Sequence, residues 1–404
     1  MPRRVLLFCE GASLAHVARP LALLDWLPDA DFDVSIACPG EFSWALGEHK
    51  TKWVPLQCQS SAEFARRLAQ GRVVFDESTL TRYVEDDLRL ISEYRPDLVI
   101  GDFRLSLGVS ARRAGVPYIA LSDAYWSEGG IASPPLPVLP ASRWFSLPVY
   151  QALFRLAWPL AMRLHAAPMA RVRKKYGLPT RRADLSSTYQ DADYIAFANF
   201  SRLFPDVLAC HRCFFIGPML WSIPVGRPPW WNELPSRDAC VFISLGSSGA
   251  VQGLETIVDQ VVALGKTAVV ATAGRSALEH APGHSVFVAD FLPGKAACEA
   301  ASCAVTNGGS PMSQLGLSSG VPVLGVPTNL DQFLCMRAFE RVGAGCVVRA
   351  DRCTPKAVRG ALSRLLEEPK YAASAKHFFA GEPDQEGKVA FDAALTRCVG
   401  GPVR

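Results

Sequence analysis

The sequence predicts an α/β protein built from two doubly wound parallel-sheet domains. Three observations carry that prediction. Short apolar runs alternate with helical stretches twice along the 404 residues, the pattern of strand–helix–strand units with parallel strands. The two series are separated by Gly217–Pro235 (GPMLWSIPVGRPPWWNELP), whose prolines can continue neither helix nor sheet. In the second series an apolar strand, Cys303–Thr306, runs into Asn307-Gly308-Gly309-Ser310 and then into a helix, a join at which open α/β sheets bind ligands.

Taken in order, the first half suggests strands at Val5–Cys9, Val34–Cys38, Trp53–Gln57, Leu98–Asp102, Tyr118–Leu121, Tyr194–Ala198 and Phe214–Ile216. The second half suggests Cys240–Ser244, Ala268–Thr272, Val286–Ala289, Ala304–Thr306, Val323–Val326 and Cys346–Val348. The length admits two or three domains with ample core. The expected layout is a first domain over 1–216, a linker over 217–235, a second domain over 236–375 and a tail over 376–404.

Composition excludes several classes. With 49% apolar and 20% charged residues the chain reads as globular, and a net charge of +4 is too small to imply a nucleic-acid partner. The N-terminal MPRRVLLFCEGASLAH has only a short apolar run, interrupted by Glu10, so it reads as a first strand and not as a signal peptide. No 18-residue apolar stretch lacks charge, so no transmembrane helix is expected. The twelve Cys are scattered, several in expected strands (Cys9, Cys38, Cys303), which fits buried free thiols in a reducing cytoplasm and no metal site.

The segment VTNGGSPMSQLGLSSGVPVLGVPTNLDQ, ending at Gln332, is the most informative. Gly308-Gly309 permits a tight turn with exposed amides. Met312–Ser319 reads as a helix, with Ser310 as its cap and Pro311 in its first turn. A helix N-terminus after such a turn attracts phosphate through unpaired N–H groups and the helix dipole. Gly320-Val321-Pro322 ends the helix and opens the next strand, and Asp331-Gln332 follow on the same sheet edge.

This spaced set resembles the donor signature of GT-B glycosyltransferases of the UDP-glycosyltransferase-like family 1 type. The resemblance extends over roughly the entire chain. It implies two Rossmann-like domains facing a cleft, a last helix that crosses back to the first domain, and a nucleotide-sugar donor on the second domain. The letters depart from the usual motif at three places: the motif His is Asn307, the expected Thr or Ser falls at Met312, and the expected Glu falls at Leu315. A one-residue shift would use Ser310, Ser313 and Gln314 instead. Asp331 and Gln332 are intact and would hold sugar hydroxyls. The resemblance also places Ser247 and Ser248, after the first strand of the second domain, near phosphate. Phe291 in Phe291-Leu292-Pro293 falls near the base, and Arg275 is a weaker neighbour. No metal or other cofactor is implied; amides and helix dipole would meet the leaving-group charge. The two Asp-Ala-Asp runs, at Asp29–Asp31 and Asp191–Asp193, lie beside turns.

On the acceptor side the resemblance makes His16 the candidate general base. It follows the first strand and precedes a helix beginning near Val17, with Ala15 before it and Pro20 four residues after. Imidazole suits proton abstraction near neutral pH. A carboxylate that orients the ring is expected at Asp102, which ends the strand DLVIGD, with Asp123 as second choice. Tyr125 and Trp126 lie just beyond and are candidates for the acceptor pocket.

One segment breaks the pattern. From Gly129 to Ala183 there is no Asp or Glu but nine Arg or Lys: Arg143, Arg155, Arg163, Arg171, Arg173, Lys174, Lys175, Arg181 and Arg182. It reads either as an acceptor-side helical insertion or as a basic amphipathic surface for anionic lipid headgroups at the inner face of a membrane. The expected function is inverting transfer from a UDP- or TDP-sugar to a hydroxyl (or nitrogen) of a small-molecule or lipid-like acceptor. The alternatives are a non-catalytic GT-B partner of another transferase and a nucleotide-sugar epimerase or hydrolase.

Overall fold

A computed structural model describes residues 2–400 apart from 48–50, 128–130, 132, 144–145, 180–183, 208–210, 247–252, 276–277, 279–284 and 380–384. The chain forms two compact units. One comprises 1–134, 143–221 and 384–404; the other comprises 135–142 and 222–383.

In the first unit the strands are β1 (Arg3–Cys9), β2 (Phe32–Cys38), β3 (Lys52–Pro55), β4 (Leu98–Asp102), β5 (Tyr118–Ser122), β6 (Tyr194–Phe197) and β7 (Cys213–Phe215). They form one sheet in the order β3-β2-β1-β4-β5-β6-β7, and every pairing is parallel. In the second unit β8 (Cys240–Ser244), β9 (Thr267–Ala271), β10 (Val286–Ala289), β11 (Cys303–Thr306), β12 (Val323–Gly325) and β13 (Gly345–Val347) form a parallel sheet ordered β10-β9-β8-β11-β12-β13. These are the strands expected from the apolar runs. The largest difference is β3, which ends at Pro55 and not at Gln57. It is an edge strand; Leu56 N still donates to Cys38 O at 3.2 Å, so the N–H that Pro55 lacks would face the open edge, where a proline is tolerated.

Strands covered on both faces must be apolar throughout. Accordingly β4, β5, β8 and β11 are buried at every residue. The first core joins Val5, Leu7, Ile36, Ile100 and Ile119 to Phe391, Ala394 and Leu395 of the helix Gln385–Val399. That helix approaches closely because Gly387 has no side chain; a Cβ there would lie 2.7 Å from the Ile216 backbone. The second core joins Val241, Ile243, Val270, Val305 and Leu324 to Ile257, Val258 and Leu362 on the covering helices.

Strand order reverses between β1 and β4 in one sheet and between β8 and β11 in the other. At such a switch point the loops leaving neighbouring strands diverge and open a crevice at the strands' carboxyl ends. The singled-out residues cluster at both: His16 and Asp102 at the first, Asn307 to Ser310 at the second.

Two helix starts differ from expectation. The helix holding His16 spans Ala15–Leu23, so His16 lies inside its first turn. Leu14 is already right-handed helical, and His16 N and Val17 N close tight turns onto Ser13 O and Leu14 O, both at 3.1 Å. The helix after the Gly turn spans Ser310–Ser318, capped by Gly309 and not by Ser310. Pro311 tolerates the first turn because its missing N–H would be unpaired there in any case.

Candidate functional site

The first site is assembled from the carboxyl ends of β1, β4, β5 and β6. Cys9 and Asp102 are register partners, which brings the loop after β1 over the end of β4. His16 Nδ1 lies 2.9 Å from Asp102 Oδ1. A carboxylate only accepts, so Nδ1 carries a proton, and in the neutral ring Nε2 is the nitrogen with the lone pair. The His16 side chain remains 19% exposed, whereas Asp102 is fully buried.

Arg19 completes the arrangement. It lies one turn beyond His16 on the same helix, where residues three apart share a face. Its Nε donates to Asp102 Oδ2 at 2.7 Å and its Nη2 to Oδ1 at 2.8 Å, a two-point fork. Nη1 donates to Asp123 Oδ2 at 2.7 Å. Arg19 Nη2 also comes within 3.3 Å of His16 Nδ1, but both are donors, so Asp102 takes both protons. Burial opposes the Arg19 charge, yet Asp102 and Asp123 outweigh it and hold the guanidinium more firmly protonated than usual. Asn199, after β6, donates to Asp123 Oδ1 at 2.9 Å and accepts from Ala124 N at 2.7 Å. Asp123 is therefore fixed as the far partner of Arg19.

Phe103 follows Asp102 and stacks on the His16 ring, centroids 4.6 Å apart and planes 11° from parallel. Its φ is 57°, a left-handed conformation costly for a bulky residue. The next residue shows how it is held. Arg104 is fully buried, donating to Asp87 Oδ1 at 2.9 Å, Glu10 Oε2 at 3.0 Å and Gln57 O at 2.9 Å, with its face 3.8 Å from the Tyr83 ring. Burial pushes the Glu10 and Asp87 carboxyls up, and Arg104 counters it. Asp102 and Arg104 thus pin both ends of the strained residue.

Tyr125 and Trp126 are buried in a short turn after β5. Trp126 stacks on Tyr189 at 4.5 Å, Tyr189 meets Phe103 at 5.3 Å, and Phe103 stacks on His16, so two rings lie between Trp126 and His16 along this stack. Tyr125 packs against Phe204. Phe103 is the half-buried ring against His16, and the half-buried Tyr189 packs on Phe103.

In the second unit the turn after β11 is tightly bonded. Gly308 has φ of 80°, and a Cβ there would lie 2.8 Å from Met336 Cγ. The amides expected to face phosphate donate inside the turn: Gly308 N to Thr306 Oγ1 at 3.0 Å and Gly309 N to Asn307 Oδ1 at 2.9 Å. Short polar side chains close such turns on their own backbone. Ser313 Oγ pairs with Thr306 Oγ1 at 2.9 Å, and Gln314 Nε2 donates to Ser310 Oγ at 2.9 Å; all four residues are buried. Arg275 Nη1 donates to Gly246 O at 3.2 Å, joining the loops after β8 and β9. Phe291, beyond β10, is 39% exposed. Gln332 accepts from Thr328 N at 2.8 Å and forms a reciprocal capping box with Asn329, which leaves the half-buried Asp331 in the first helical turn. Ser247 and Ser248 lie outside the described residues.

A family model described as "Erythromycin biosynthesis protein CIII-like, C-terminal domain" matches residues 255–384. The chain is 38% identical over 390 residues to a PGL/p-HBAD biosynthesis glycosyltransferase of Mycobacterium tuberculosis (strain ATCC 25177 / H37Ra), covering 94% of this chain and 90% of the relative. The chain belongs to the family 1 GT-B glycosyltransferases. A second relative of this glycosyltransferase, the PGL/p-HBAD biosynthesis rhamnosyltransferase of Mycobacterium bovis (strain BCG / Pasteur 1173P2), is 40% identical over 376 residues, 92% of this chain and 83% of the relative. The spinosyn rhamnosyltransferase SpnG complexed with thymidine diphosphate shares the fold, with TM-score 0.66, 17% identity and coverage of 98% and 99% of the two chains.

Several residues of the candidate site escaped the sequence reading: Arg19, Phe103, Tyr189, Asn199 and the Arg104 cage. Arg19 carried a usable signal, since a helix begun two residues earlier puts it one turn from His16. The others are long-range closures between strand ends that no local spacing announces.

Proposed function

We propose that this glycosyltransferase moves a sugar, with inversion, from a UDP- or TDP-sugar to a hydroxyl (or nitrogen) of a small-molecule or lipid-like acceptor, with His16 as general base. The observation that carries the reading is the His16–Asp102 bond of 2.9 Å, with Nε2 as the ring nitrogen that retains a lone pair. In the proposed step the acceptor proton passes to Nε2 and the acceptor oxygen bonds to the anomeric carbon. The bond from that carbon to the diphosphate breaks, and the nucleoside diphosphate leaves with its electron pair. Asp102 faces the Nδ1–H of the imidazolium so formed, the orienting part a carboxylate takes in hydrolase triads.

The unit holding β8 to β13 is proposed to take the donor. The N-terminus of the helix Ser310–Ser318 supplies a positive dipole end for diphosphate, so the step needs no metal ion. The hydroxyls and amide of Ser310, Ser313 and Gln314 support the turn from within, and Asp331 and Gln332, at the start of the helix Leu330–Arg341, are proposed to meet sugar hydroxyls. A relative named a rhamnosyltransferase and a neighbour complexed with thymidine diphosphate favour a TDP-linked sugar as the first donor to try.

A thermal-shift panel of TDP, UDP, GDP and their sugars tests the donor reading. A ligand at 100 times its Kd stabilises by about 2.7 kcal/mol, roughly several degrees in Tm. A preference for one nucleotide supports the reading and selects the donor. A folded protein that shifts with none of them would sink it.

A further inference from the structure

The helix Leu147–Lys175 is 29 residues long, but only its C-terminal part joins the core. Ala166, Pro168, Met169, Val172 and Arg173 are buried, whereas no residue from 147 to 165 is. In that outer stretch Val149, Leu153, Leu156, Leu160 and Leu164 recur at steps of three or four residues and so share one face. All five are exposed, Leu156 to 81% and Leu160 to 62%. A continuous exposed apolar face of this kind marks an interaction surface.

We propose that this face docks on an anionic lipid bilayer, with the helix lying in the plane of the headgroups. Charge decides the occupant. The helix contains no Asp or Glu, while Arg155, Arg163, Lys174 and Lys175 stand exposed along it. Arginine and lysine stems lie along apolar surface while their charged ends reach phosphate. A second copy of the chain, docked face to face, would set Arg155 and Arg163 against the same cations with no carboxylate on either helix to meet them. Among the described residues no helix is long and apolar enough to cross a membrane, so this one rests on the surface. Its inner end is fixed: Arg171 Nε donates to Glu77 Oε2, and Arg173 pairs with Asp191. The leucine face is therefore carried on a firm mount. The inference rests on this helix alone and not on the identity of the base, sugar or acceptor.

The test is cosedimentation of the full chain with phosphatidylcholine vesicles, alone and containing phosphatidylglycerol. The protein is expected to pellet with the anionic vesicles and to be released as salt rises. The L156E/L160E double variant should lose about tenfold or more of its partitioning, with an unchanged melting temperature, because both side chains are exposed. The R155Q/R163Q variant keeps the apolar face and should lose the preference for anionic vesicles. Wild type that pellets with neither vesicle overturns the proposal, as does L156E/L160E that pellets like wild type. A concentration-dependent dimer broken by L156E/L160E, with no vesicle binding, would assign the face to a second copy instead.

Discussion

Arg19 grips Asp102 at both carboxylate oxygens, at 2.7 and 2.8 Å, while one of those oxygens also accepts from His16 at 2.9 Å. The buried carboxylate that orients the ring is thus itself oriented by a buried guanidinium. Removing Arg19 would leave Asp102 and Asp123 buried without their cation. We expect Arg19→Ala to destabilise the protein by about 3–5 kcal/mol, measured by urea unfolding. Arg19→Lys keeps the charge but cannot form the fork and reach Asp123 together, so it should lower both stability and kcat.

Asp102→Asn keeps the size of the side chain and changes what it offers. An amide can present its NH2 to His16 Nδ1 and favour the wrong tautomer, which moves the lone pair away from Nε2. We expect kcat to fall about 10²–10⁴-fold, the scale of general-base catalysis, with little change in KM. Steady-state kinetics with the preferred donor checks this.

Phe103 supplies a second, separable test. It holds φ of 57° and stacks on His16. Phe103→Gly and Phe103→Ala both lose the ring, but only glycine takes that backbone without strain. The glycine variant should be the more stable of the two by about 1 kcal/mol or more, while both show similarly reduced kcat. Paired melting and rate measurements distinguish the backbone effect from the ring effect.

At the second switch point, Gly308→Ala combines a φ of 80° with a Cβ 2.8 Å from Met336 Cγ and 3.3 Å from Gln332 O. The left-handed backbone alone costs about 1–2 kcal/mol, and the contacts add to it. We expect lower stability and weaker nucleotide binding, read as a lower Tm and a smaller shift with TDP.

Much of this architecture was legible because parallel strands buried on both faces read as unbroken apolar runs, as in Leu98–Asp102 and Cys240–Ser244. The seam at His16 was half legible. The imidazole and Asp102 stand out at strand ends, but Arg19 falls into view only when the helix starts at Ala15, and no side-chain cap announces that start. The left-handed Phe103 is imposed by Asp102 and Arg104 on either side, so no residue preference could reveal it. Gln332, singled out for a sugar hydroxyl, also accepts from Thr328 through Oε1 and closes a capping box, a local bond that its spacing from Asn329 encodes.

His16 is proposed to take the acceptor proton, and a His16→Ala variant puts that role to the test. Product formation from the preferred nucleotide-sugar would be compared between variant and wild type, with nucleotide thermal shifts recorded for both. Transfer should fall about 10²-fold or more while the nucleotide shift is unchanged. A variant that transfers at the wild-type rate would contradict that role.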